Sequence, residues 1–264
     1  LRNLTGFLVV FLLPTTVFAQ TVYTFTNAGA TGRTGPTQTQ INNTYTSGNN
    51  NYNKVTINTQ GIQEWTVPAD GVYTIEVWGA QGGNTGSSTT NDGSTKGGKG
   101  ARMKGDFTLE EDDVIKILVG QQGFGNTYDG GGGGGTFVVK KTGSASTDIT
   151  ALIIAGGGGG SNTYSNASDA GGDAGTGTAG STGTGDTGTA GDNGTGGSGS
   201  YSSSGAGLLT NGGNPTWSGT NGGGYAFVNG GMGGEQISRS ESVGGFGGGG
   251  SAHGHYCIGG GGGG

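Results

Sequence analysis

GVYTIEVWGA (residues 71–80) places Tyr73, Ile75 and Val77 at every second position before Gly79 ends the run. That two-residue period is the mark of a strand with one buried face. Working outward, the same kind of run recurs as TVYTFT, NKVTIN, IQEWTVP, ARMKGDFTL, DVIKILVG, TFVVKK and TALIIAG. Eight strands with little or no α-helix between them predict an all-β, antiparallel sandwich over residues 20–155, with a jelly roll as the preferred form. The tetrad Glu110 to Asp113, between two strand-like runs, reads as a solvated hairpin turn. Trp65 and Trp78 lie within strands and are expected in the core.

Beyond residue 155 the composition changes. The chain has 69 glycines in 264 residues, 26 of them before Gly156 and 43 from there on, so one ordinary core cannot account for the second half. Residues 156–264 also carry six acids (Asp169, Asp173, Asp186, Asp192, Glu235, Glu241) against Arg239 alone. A nucleic-acid partner needs a basic stripe, and an anionic membrane surface needs the same sign, so both are excluded as partners. Cys257 is the single cysteine, which rules out an intrachain disulfide. At the other end, Arg2, the apolar run FLVVFLLP and the small residues Val17 and Ala19 before Gln20 read as a signal peptide over residues 1–19. The run is too short to span a bilayer of about 30 Å. A secreted or cell-surface chain is therefore expected, with no membrane insertion. It stops inside GGGGGG, which reads as a truncated C-terminus.

Glycine tracts such as Gly130 to Gly135 have nothing to bury and lose the most backbone entropy on ordering, which favours a flexible linker. Here, however, they abut apolar strands directly, in GGGGGGTFVV and LIIAGGGGG. The ordered alternative is a polyglycine-II helix with three residues per turn and about 3.1 Å rise, whose outward N–H and C=O groups bond to neighbouring helices. Only glycine allows that approach, so Gly130, Gly132, Gly135, Gly156 and Gly158 are structural candidates. Gly185, Gly188, Gly191, Gly194 and Gly197, spaced by three, fit one edge of such a helix. Collagen is the rival, but four prolines and a broken triplet phase argue against it.

TFTNAGATGRTGPTQTQ (residues 24–40), GIQEWTVPADGVYTIEVWGAQGG (residues 61–83), VIKILVGQQG, GGGGGGTFVV and LIIAGGGGG together resemble a known domain. It is the glycine-rich extracellular ligand-binding domain of the anaplastic lymphoma kinase and leukocyte tyrosine kinase receptors and of their bacterial secreted relatives. The resemblance runs from about Thr21 to the end of the chain and is most specific in GPTQ, Trp65-Thr66-Val67-Pro68 and LVGQQG. It implies a tumour-necrosis-factor-like sandwich with glycine helices inserted between strands and packed as a bundle. In the receptors this region binds small helical ligands. The animal receptors carry cysteines where this chain has Ala28 and Ile41, so that disulfide is absent.

Chemistry is sparse. A kinase needs V-A-I-K, H-R-D and D-F-G, and the nearest match, Asp106-Phe107-Thr108, fails at the glycine. The many G-x-G-x-x-G strings arise from composition. His253, His255 and Cys257 form a soft-ligand trio at alternate positions, but their spacing matches no known metal site, and a loop cap between glycine tracts is favoured. The aspartates at 169, 173, 186 and 192 lack a calcium-binding register and read as solvating charges. Trp217, in GGNPTWSGTNGGG, is the candidate recognition aromatic. Asn42, Asn166 and Asn193 head glycosylation sequons. The expectation is a non-catalytic extracellular recognition module without cofactors, its partner a protein or glycan. The alternative is a structural or surface-adsorbing protein presenting the threonines of TGTAGSTGTGDTGTAG (residues 176–191); an extracellular enzyme comes third.

Overall fold

In the computed structural model the described residues are 20–87, 90–163, 170–179, 189, 191–199, 202–215, 222–235, 242–252 and 262–264. They contain nine strands: β1 (Val55–Thr59), β2 (Ile62–Thr66), β3 (Gly71–Trp78), β4 (Thr85–Ser87), β5 (Thr90–Thr95), β6 (Arg102–Leu109), β7 (Val114–Leu118), β8 (Thr136–Lys141) and β9 (Ile149–Ala155). One antiparallel sheet has the order β1-β2-β7-β8-β9, while β3 pairs with β6 and β4 with β5. The chain is an all-β sandwich.

The five-stranded sheet is covered on both faces. Trp65, Ile115, Ile117, Val138 and Ile153 meet Val77 and Leu109 of the β3–β6 ribbon, with half-buried Tyr73, Ile75, Met103 and Phe107 beside them. On the opposite face Ile62, Leu118, Phe137 and Val139 meet Leu208, Phe227 and Phe246 from the glycine-rich part. Burial on both sides is why TFVV and LIIA read as continuous apolar runs rather than alternating ones. Each fully buried Leu or Phe contributes roughly 1.5–3 kcal/mol, so Phe246 and Phe137 anchor the two compositional parts to one sheet.

A single folded hairpin organises residues 62–118. Ile62 faces Leu118 and Thr66 faces Val114, then Gly71 faces Leu109, Trp78 faces Arg102 and Thr85 faces Thr95. Each step along one arm is matched by one along the other, across two sheets and the glycine segment between them, where Gly82 N donates to Gly98 O. The arms cross from one sheet to the other at Val67 and Asp113, where Val67 N donates to Asp113 O and Asp112 N to Val67 O. The tetrad Glu110 to Asp113 is thus the corner of the sandwich and not a hairpin turn, because β6 and β7 pair with different partners. Asp113 stabilises this corner: its carboxylate accepts from Glu110 N at 3.0 Å and pairs with Lys140 Nζ at 2.7 Å. Those bonds hold its pKa below the usual carboxylate value.

The glycine tracts continue two further hairpins in register. Leu118 faces Phe137, and beyond it Gly134 N bonds Gln121 O and Gly131 N bonds Phe124 O. Thr136 faces Ala155, and beyond it Gly133 N bonds Gly158 O and Gly130 N bonds Ser161 O. Gly132 and Gly135 donate to Gly250 and Gly247. Successive donors of Gly130 to Gly135 therefore address three neighbouring segments in rotation, the pattern that three residues per turn produces. Cβ atoms added at Gly130, Gly158 or Gly191 would run into the carbonyl oxygens of Gly83, Gly98 and Thr195, and one at Gly135 would come within 2.8 Å of Gly263 O. At Gly156 the nearest atoms would lie at 3.7 Å, an ordinary contact, so space does not demand glycine there.

Three further expectations are corrected. TVYTFT forms no ladder; Tyr23 and Phe25 instead pack their rings on Trp65, with centroids 4.8 and 6.0 Å away. The expected scarcity of α-helix holds among the described residues, where QTQINNT forms one short helix, α1 (Gln38–Thr44), started by the reciprocal capping box of Thr37 and Gln40. Gly191, Gly194 and Gly197 do not share one straight edge, since Asn193 and Gly194 have φ of 50° and 79° and turn the chain between Asp192 and Thr195. Trp78 is 56% exposed, whereas Trp65 is 5% exposed. The alternation that buries Tyr73, Ile75 and Val77 sends Trp78 to the outer face of β3.

Candidate functional site

The described surface holds a cleft of about 560 Å³ where three segments meet. The first is the turn after Phe25, closed by Ala30 N to Asn27 O at 2.9 Å and Asn27 Nδ2 to Ala30 O at 2.7 Å. Positive φ at Ala28, Gly29 and Gly32 lets it double back. The second is the arm of the folded hairpin before β4, which contributes Asn84. The third is residues 121–125, just past β7, which contribute Gln121, Gln122 and Phe124. Sandwich and glycine-rich segments meet here, so the cleft's walls are fixed by both.

The backbone of the third segment is held on every side. Gln121 N donates to Phe246 O, Gly123 N to Gln81 O and Phe124 N to Val243 O, while Phe124 O accepts from Gly131 N. The Phe124 side chain is excluded from that packing. Its ring rests against Gly32, where a Cβ would stand 3.2 Å from Cε2, and the residue stays 44% exposed. Tyr128, at the tip of the same hairpin, is also exposed.

The amides have defined orientations. Gln121 is 3% exposed; its Nε2 donates to Thr34 O at 3.4 Å and its Oε1 has no partner. Asn84 uses its Oδ1, which accepts from Gly97 N at 3.0 Å and Gln81 Nε2 at 3.3 Å. Because Thr34 O can only accept and Gly97 N can only donate, neither amide is reversed. Gln122 Nε2 reaches Gly82 O at 3.2 Å. Among the described residues no ionisable side chain lines the cleft. Arg33, next to Gly32, is tied to Gly233 O and to the Glu235 carboxylate.

None of the candidate site residues named from sequence lines this cleft, although Gln121 and Gln122 belong to LVGQQG and Asn27, Ala30, Thr31 and Gly32 to TFTNAGATGRTGPTQTQ. Trp217, His253, His255, Cys257, Gly185 and Gly188 lie outside the described residues, as does most of the threonine run. Asp173 accepts from Lys99 N and Asp192 belongs to the turn at Asn193, each bonded within the fold. Among the described residues no three His, Cys, Asp or Glu side chains gather as a metal site. The cleft residues stand in QQGFGNTYDG, and the signal that marks them is an aromatic placed inside a glycine tract.

No protein-family model matches the chain. Over 115 residues it is 34% identical to the leukocyte tyrosine kinase receptor of Mus musculus, a stretch that makes up 42% of this chain and 12% of the receptor. The chain is similar to a receptor over part of its length. Among the described residues no helix is long and apolar enough to cross a membrane.

Proposed function

We propose that the chain is a non-catalytic extracellular recognition module of receptor type, in which a bundle of polyglycine-II helices holds a ligand-binding cleft against a β-sandwich. The partial identity with a receptor carries this reading. The rotation of the Gly130 to Gly135 donors among three neighbours supports the three-fold helices, as does the absence of positive φ at these glycines. A rigid wall of uncharged amides beside an exposed aromatic ring suits binding, since specific small-molecule sites combine an apolar surface with a few fixed polar groups. It offers no acid, base or nucleophile for turnover. The partner is a protein or a glycan.

The test has two arms. A reporter enzyme preceded by residues 1–30 should be exported, leaving Gln20 as the first residue of the mature chain by mass spectrometry. Retention inside the cell sinks the extracellular reading. Purified protein should be blank in hydrolase and phosphotransferase assays, and a turnover lost in His253→Ala or His255→Ala would replace recognition by catalysis.

A further inference from the structure

We infer that the cleft at Phe124 binds a neutral saccharide of one or two rings, one ring laid on the Phe124 side chain and its hydroxyls bonded to Gln121 and Asn84. The inference rests on the recognition reading and names the ligand class for the same site.

Three observations select the chemistry. First, among the described residues no ionisable side chain lines the cleft, and none of them gives a phosphate, sulfate or carboxylate ligand a counter-charge. Second, the polar groups left over are complementary. Gln121 offers a buried acceptor, Oε1, without a partner, and Asn84, its acceptor already used twice, has Nδ2 left to donate. A hydroxyl donates and accepts at once, so neighbouring hydroxyls on a ring meet both demands. A buried acceptor without a bond is costly, and a sugar hydroxyl that meets Oε1 as the Gln121 side chain turns toward the cleft removes that cost on binding. Third, Phe124 is held by its backbone while its ring stays in solvent against Gly32. A flat aromatic surface beside amides accepts the C–H face of a pyranose, whose edge is polar and whose face is apolar. The cleft also has the size of a small-ligand site, for which roughly 300–1,000 Å³ is usual. A lipid tail would leave Gln121 and Asn84 unbonded.

The probe is a set of neutral tetrasaccharides (maltotetraose, cellotetraose, chitotetraose and mannotetraose) with tetragalacturonate as the charged counterpart. Each is followed by saturation-transfer NMR and titration calorimetry on residues 20–264. At least one neutral sugar should show transfer, tetragalacturonate should not, and Phe124→Ala should weaken that sugar about tenfold with an unchanged melting temperature. Gln121→Leu, similar in size but without the acceptor, should weaken it as well. If Gln121→Leu does not fold, the Phe124→Ala result decides alone. Transfer to none of the neutral sugars, binding of the charged one only, or binding indifferent to Phe124→Ala would overturn the inference. Those failures leave the export test untouched, while failed export with sugar binding intact would sink the extracellular reading alone.

Discussion

Tyr45 is one of several polar groups that connect the N-terminal segment to the sheet. Its buried hydroxyl donates to Gln63 Oε1 at 2.8 Å and accepts from Thr26 N at 2.9 Å, and burial raises its pKa. Tyr45→Phe keeps the ring but leaves Thr26 N–H and Gln63 Oε1 without that partner, so it should destabilise by about 1–3 kcal/mol in urea melts. Asp113 gives a pH signature. Its pKa is lowered, first by the hydrogen bond with Lys140 and then by Glu110 N–H, so its contribution is present above the unfolded value of 3.8. That contribution is lost as the pH falls through the lower folded value. Asp113→Asn should therefore melt below the wild type at neutral pH, and the gap should close as the pH drops beneath 3.8. A gap constant down to the acid limit would mean that the corner does not depend on this carboxylate. Ala28 and Ile41 are both buried in the cluster around Trp65.

At the scale of elements, strands and glycine tracts differ in what holds them. A strand is fixed by its buried face, a tract by the carbonyls of its neighbours. Gly158→Ala drives a methyl group into the Gly98 carbonyl, and Gly133→Ala drives one into that of Ala80; backbone must move in both. Each should lose about 1–3 kcal/mol, the usual range for overpacked positions. Gly172, where a Cβ meets open space, is the control: Gly172→Ala should be neutral, or stabilising by about 0.4–1 kcal/mol through the unfolded chain. Equal melts for all three variants would make the tracts solvated linkers. Much of this scale is legible in the sequence. Alternation marks β3, the apolar runs mark β7 to β9, and glycines set directly against TFVV and LIIA mark ordered tracts. Two signals were also present but weaker than their neighbours. Thr37 and Gln40 spell a capping box that starts α1, and the parity that buries Val77 already exposes Trp78.

For the whole molecule, composition suggests two parts, while one sheet carries a hydrophobic cluster on each face, the second shared with the glycine-rich part. Leu208 in AGLLT, Phe227 in YAFVN and Phe246 between glycines show no strand or helix periodicity, so nothing in sequence shows that they cover the sheet. Residues 20–155 alone should therefore expose Ile62, Leu118, Phe137 and Val139, bind a hydrophobic dye and melt without a sharp transition. A cooperative melt of that fragment would show that the sandwich does not need its glycine-rich cover. The cleft was hidden for a similar reason, since its walls come from residues 27–32, 84 and 121–125, which only the folded hairpins bring together. The unbroken register of those hairpins also limits how such a chain can change length over generations. One glycine gained in residues 130–135 would hand each later donor to the neighbour that the next one now serves, and would slide β8 by one place, turning Val138 to the wrong face. Insertions should survive only in multiples of six, which keep both the three-fold rotation of the tract and the two-fold alternation of the strand, or in matched pairs on both arms, so tract lengths in related chains should vary in those steps.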